Sequence, residues 1–212
     1  MAAKSPANTA TPSSGDETDS RAGRFMRSAL AILGETGRTD FTVLEVVERS
    51  KTSLRAFYQH FATKDELLLA LVDRIMAEAT ARWRAEVEPM PADEALRRLI
   101  ERISAPAESH TQDAINRGLT YYNDHLLETR PREFATVLAP LHALLVDILR
   151  RGLTEGVFDA GIDVETDAAI LMQTVLGALR LRELGEELNG VPIDGSHLYA
   201  FCARSLLRAD QR

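Results

Sequence analysis

A single cysteine, Cys202, occurs in 212 residues, so no intrachain disulfide forms and paired-cysteine metal motifs are excluded. No apolar run approaches 18 residues, which excludes a membrane-spanning helix. The first twenty residues, MAAKSPANTATPSSGDETDS, lack the continuous apolar stretch of a signal peptide. Their Ala, Ser, Thr and Pro content predicts a disordered tail over 1–20. With the lone thiol, these absences predict a cytoplasmic protein. Catalytic signatures are missing as well: there is no H-E-x-x-H, no G-x-S-x-G and no Gly-rich phosphate loop. The five histidines, at 60, 110, 125, 142 and 197, do not fall in a metal-binding spacing. No enzyme activity, cofactor or metal is therefore expected. Alternating strand patterns are also absent, and apolar residues recur at helical spacing nearly everywhere. The expected fold is all-α, with about nine helices.

What is present is 45% hydrophobic and 27% charged, the composition of a globular protein. The net charge of −7 conceals an asymmetry. Residues 21–64 carry +4, from eight basic and four acidic side chains, whereas 65–212 carry −9 and 1–20 carry −2. A basic N-terminal module on an acidic body steers one end of the molecule toward a polyanion.

That module holds the densest local signals. Thr42 and Glu45 have capping-box spacing, with Phe41 and Val46 placed as a hydrophobic staple. Ser53 is placed to N-cap a second short helix, on which Phe57 and Phe61 share an apolar face. Thr63 and Glu66 repeat the capping spacing at the start of a long helix. The outer face of the second short helix presents Leu54, Arg55, Tyr58 and Gln59, with His60 and Lys64 near its end. Such a helix suits a DNA major groove and its flanking phosphates. Arg55 is the candidate base reader, because a guanidinium bonds guanine O6 and N7 bidentately, and Leu54 and Ala56 are placed for thymine methyls. Thr42, Tyr58, His60 and Lys64 are candidates for phosphate contacts.

The run TVLEVVERSKTSLRAFYQHFATKDE resembles the DNA-binding domain of the TetR family of transcriptional regulators. Thr42, Val46, Ser53, Phe57, Tyr58, His60, Phe61, Lys64 and Leu67 stand at the spacings of the family pattern T-x-x-x-I-A-x-x-A-G-V-S-x-x-x-L-Y-x-H-F-x-x-K-x-x-L. Val47 replaces the usual Ala, and Ser50-Lys51-Thr52 replaces Ala-Gly-Val in the turn. Where Gly serves a positive φ, another residue costs about 1 kcal/mol. Either the turn differs here, or Lys51 accepts the strain and gains a phosphate contact. The resemblance implies a helix-turn-helix domain over 21–64 and a helical effector-binding and dimerisation body over 65–212.

In the body, a long helix is expected from near Lys64 to near Pro89 or Pro91, followed by helices at about 92–106, 111–128, 133–155, 164–187 and 195–209. The resemblance implies that the last two pair with their twins in a homodimer, and Leu171, Val175, Leu179, Leu198, Phe201 and Cys202 are the candidate interface. For the implied effector pocket the candidates are Trp83, Tyr121, Tyr122, His125, Phe134, His142, Met172 and Gln173. Core packing is an equal or better account of His142, of the tyrosines and of Cys202. Mostly apolar walls with a few polar groups favour a hydrophobic effector with one polar handle. The reading is a ligand-responsive repressor that binds double-stranded DNA as a dimer. A helical enzyme without a recognisable motif and a protein-interaction module remain open alternatives.

Overall fold

The computed structural model describes residues 21–183 and 193–208. Among them are nine α-helices: α1 Arg21–Thr36, α2 Val43–Arg49, α3 Leu54–Tyr58, α4 Lys64–Val87, α5 Ala92–Ile103, α6 His110–Thr129, α7 Pro131–Glu155, α8 Val164–Glu183 and α9 Gly195–Leu206. The described residues contain no strand beyond one isolated bridge, Phe158 to Leu207, which ties the end of α9 to the loop after α7. No helix among them is long and apolar enough to cross a membrane. The tail expected over 1–20, the loop through Gly185 and Pro192, and the last turns expected for α8 and α9 extend outside the described residues.

Local chemistry sets the helix boundaries. Thr42 and Glu45 form the full capping box at α2: Glu45 N–H donates to Thr42 Oγ1 (3.2 Å) and Thr42 N–H to Glu45 Oε2 (2.6 Å). The staple residues Phe41 and Val46 are both buried. Ser53 caps α3 by accepting from Ala56 N–H at 3.1 Å. At α4 the box is shifted. Thr63 accepts from Glu66 N–H, but the Glu66 carboxylate reaches Ala62 N–H (2.7 Å) instead of the cap residue. α7 starts two residues before the expected Glu133, because Pro131 occupies the first turn, where its missing N–H costs nothing.

Two apolar cores result. One joins α5, α7, α8 and α9 through Leu96, Leu99, Ile100, Leu145, Leu149, Leu171, Val175 and Leu198. The other surrounds Phe25, Val46, Phe57, Phe61, Leu67 and Leu68 and continues into the body through Leu71, Tyr122, Leu126 and Val137. Met76 and Phe134 pack against both. α1 and α6 lie in close contact at Gly118, where a Cβ would sit 2.7 Å from Leu33 Cδ2 and 3.1 Å from the Gly37 carbonyl oxygen. A side chain there would separate the two helices.

Candidate functional site

The short helix α3 is held by an aromatic platform. Phe57 is fully buried, edge-on to Phe25 at 5.3 Å and 5.8 Å from Phe61. Such pairs add about 0.5–1.5 kcal/mol beyond area burial. With Phe57 pinned inward, the remaining side chains of a five-residue helix have one way to face. Leu54 and Tyr58 are 44% and 57% exposed, and Arg55, Gln59 and His60 are exposed beside them. Ala56 is half-buried. The motif did not single out Phe25, because the platform forms only when α1 folds across α3.

Several candidate side chains already have work inside the module. The Thr42 and Ser53 hydroxyls are caps, so their first role is to start α2 and α3. The Thr42 hydrogen bonds, from its backbone and then its side chain, hold the Glu45 carboxyl below its usual range. The Lys64 ammonium donates to the Thr39 carbonyl (2.9 Å) and lies 5.6 Å from the Phe41 ring centroid. It therefore anchors the loop before α2, with two N–H groups left over. Arg49 forms two hydrogen bonds to Glu35, tying α2 to α1, and Arg38 pairs with Asp40. Leu44, 52% exposed on α2 beside these groups, was not singled out from the sequence. Its apolar character gave no sign of an outward face.

The turn between α2 and α3 keeps the left-handed backbone that Gly serves in the family pattern, and Lys51 adopts it. Lys51 has φ 53°, and it is the one non-glycine residue with positive φ among those described. Its N–H donates to Glu48 O (3.1 Å) and Thr52 N–H donates to Val47 O (3.1 Å), the paired bonds of a Schellman ending. The Ser50 hydroxyl adds a bond to Val47 O at 3.1 Å and lies 2.7 Å from Thr52 Oγ1.

The structure does not bring the eight effector candidates together. Tyr121 and Tyr122 are adjacent, so they project about 100° apart around the helix: Tyr121 is exposed, while the Tyr122 hydroxyl donates to the Asp65 carbonyl at 2.9 Å. Burial raises the Tyr122 phenol far above its usual range. The same geometry exposes Gln173 beside buried Met172. His125 is exposed, and half-buried His142 has Nε2 at 3.3 Å from the Glu165 carbonyl. Trp83 packs partly buried on the body core, and Phe134 sits between the two cores. Only Met172 borders the internal cavity, an apolar space of about 10 Å³ lined also by Ile100, Ile103, Leu141, Leu145 and Leu171. That space is too small for anything larger than a water molecule.

The dimer candidates also divide. Leu171, Val175, Leu198 and Cys202 are buried in the chain's own core, so they have no surface to offer a partner. Burial also raises the Cys202 thiol above its usual range. Leu179 is half-buried against the same core, and Phe201, 62% exposed, alone faces outward. In α8 the stripe 168, 171, 175 points inward, and the turned-away face is Ile170, Thr174, Gly177 and Leu181. Together with His197, Phe201 and Arg204 of α9, part of that face lines an open groove of about 560 Å³.

Residues 25–71 match the family model of bacterial regulatory proteins, tetR family. Over 189 residues the chain is 24% identical to the HTH-type transcriptional repressor KstR2 of Mycobacterium tuberculosis, covering 86% of this chain and 91% of that protein. The solved structure of KstR2 matches with TM-score 0.55 at 22% identity, over 90% of this chain and 96% of that one. SmeT, the repressor of the Stenotrophomonas maltophilia multidrug efflux pump SmeDEF, matches with TM-score 0.68 at 19% identity, over 92% and 95% of the two chains. FadR from Bacillus subtilis, solved in complex with stearoyl-CoA, matches with TM-score 0.65 at 16% identity, over 87% and 95%. At such identities the structural likeness shows a shared fold.

Proposed function

Because the chain belongs to the TetR family of bacterial regulatory proteins, we propose that it is a repressor that binds a palindromic operator as a homodimer and is released by a lipophilic effector. The observation that carries DNA reading is α3 itself. Its buried Phe57 platform leaves Leu54, Arg55, Tyr58 and Gln59 outward on the basic module. Arg55 has no ion pair among the described residues, so its guanidinium is available for a guanine edge. Tyr58 and His60 are placed for phosphates, as are the remaining N–H groups of Lys64.

Dimerisation is supported by the outward face of α8 and α9, where Ile170 and Phe201 are both more than half exposed. A second copy would bury this face and set two α3 helices in successive major grooves. The effector is proposed to enter between α5, α7 and α8, widening the apolar cavity beside Met172. A drug-sized ligand needs about 300–1,000 Å³, so binding requires these helices to separate. A ligand of this kind shifts the protein only by its greater affinity for the opened state. The wholly apolar lining favours an acyl or steroid-like molecule. Among the similar proteins, a ketosteroid transcriptional regulator and a regulator solved with stearoyl-CoA agree with that class.

The test is a gel shift with fragments of the source genome across a salt series. A discrete site whose affinity falls steeply with salt is expected, since several phosphate contacts release counterions. Absence of any selected site, or of a salt slope, would overturn the reading.

A further inference from the structure

We propose that Lys51 is a DNA-backbone contact retained at the expense of fold stability, so that the turn between α2 and α3 is strained for the sake of binding. The inference rests on the DNA-binding reading above and adds to it a trade-off that the fold alone does not require.

The backbone at Lys51 has φ 53°, a conformation in which Cβ crowds the following carbonyl and which glycine adopts without cost. Every hydrogen bond that closes this turn uses main-chain atoms or the hydroxyls of Ser50 and Thr52. None uses the Lys51 side chain. It is exposed, and among the described residues its ammonium has no ion pair, although Glu48 stands three residues earlier. Arg49 is bonded to Glu35, Arg38 to Asp40 and Lys64 to the Thr39 carbonyl, whereas Arg55, on the outward face of α3, shares with Lys51 the lack of an ion pair among the described residues. A residue that costs the turn stability and supplies no contact to the fold has its use elsewhere, and an outlier of this kind points to function. A cation two residues before Ser53, the cap of α3, is placed to meet the phosphates that flank the groove entered by α3. It supplies charge there without reading a base.

The experiment compares full-length wild type with Lys51→Gly, Lys51→Asn and Lys51→Arg, using DNA selected by wild type from a random-sequence pool. Lys51→Gly is expected to melt about 2–4 °C higher, the shift that relief of the left-handed strain produces in a chain of this size. The same variant should bind selected and unselected DNA more weakly. Its slope of log affinity against log salt should be shallower by about 0.9 for each lysine removed. Lys51→Asn, which tolerates this φ, should lose the same slope. Lys51→Arg should restore the slope without the gain in melting temperature. Wild-type affinity and slope in Lys51→Gly, or a melting temperature no higher than wild type, overturns the proposal while leaving the helix-turn-helix reading intact. If wild type selects no DNA, both fail together.

Discussion

Arg55 and Lys64 lie nine residues apart and are both basic, yet their surroundings assign them different work. Arg55 projects from the exposed face of α3 without an ion pair among the described residues. Lys64 holds the Thr39 carbonyl and covers the Phe41 ring. Arg55→Ala should therefore leave the melting temperature nearly unchanged, cost about 1–3 kcal/mol of operator affinity and relax preference at one base pair. Binding-site selection with the variant checks this, and unchanged site preference would refute a base-reading role. Lys64→Ala should weaken binding to all sequences and also lower stability, because the loop before α2 loses its anchor. The sequence motif marks both positions as basic. It does not reveal which of them the fold has already used, since Thr39 and Phe41 reach Lys64 only after the chain has turned back across 25 residues.

At the scale of the elements, α1, α4 and α6 meet in close contacts. Gly118 brings α6 against Leu33 and the Gly37 carbonyl, and Tyr122 one turn later bonds the Asp65 carbonyl in the first turn of α4. α6 thus touches both the helix that carries the Phe25 platform and the helix that follows α3. Gly118→Val should overpack this crossing, destabilise the protein by about 1–3 kcal/mol and weaken DNA binding by tilting α1. Urea unfolding and the operator gel shift measure the two effects, and a variant with wild-type values in both would show that the crossing is not tight. Tyr122 is buried in this crossing and bonds the Asp65 carbonyl. The spacing 121, 122, 125 on one helix reads equally well as core packing or as a pocket wall, and only the position of α4 decides.

At the scale of the whole molecule, an exposed apolar face lies on one side of α8 and α9. Phe201→Asp or Ile170→Asp should yield a folded monomer, because these side chains are exposed in the single chain and a buried unpaired charge is costly only in the dimer. Light scattering should show the loss of the dimer while circular dichroism remains helical. Charge placed at Leu171 or Val175 should instead unfold the chain, since both lie in its own core. A monomeric wild type at micromolar concentration would remove the premise. Weakened pairing should also lower operator affinity, as two reading heads then bind independently.

Helix number, most boundaries and the cap-turn-cap order of the N-terminal module were determined by the sequence alone, because capping and periodicity act over three or four residues. The motif from Thr42 to Leu67 is of the same kind: its residues are close in the chain and stay close in space. Tertiary structure alone decided which apolar stripe of α8 faces inward, since α8 and α9 are apolar on more than one side and periodicity cannot rank the sides. It also decided that the effector candidates scatter. Adjacent positions such as Tyr121 and Tyr122 diverge by about 100° around the helix, and the small cavity is lined by residues from α5, α7 and α8 that meet only when those helices pack. The left-handed backbone at Lys51 stands between these cases. The sequence left the backbone of the turn open there, and the hydrogen bonds that end α2 hold it left-handed.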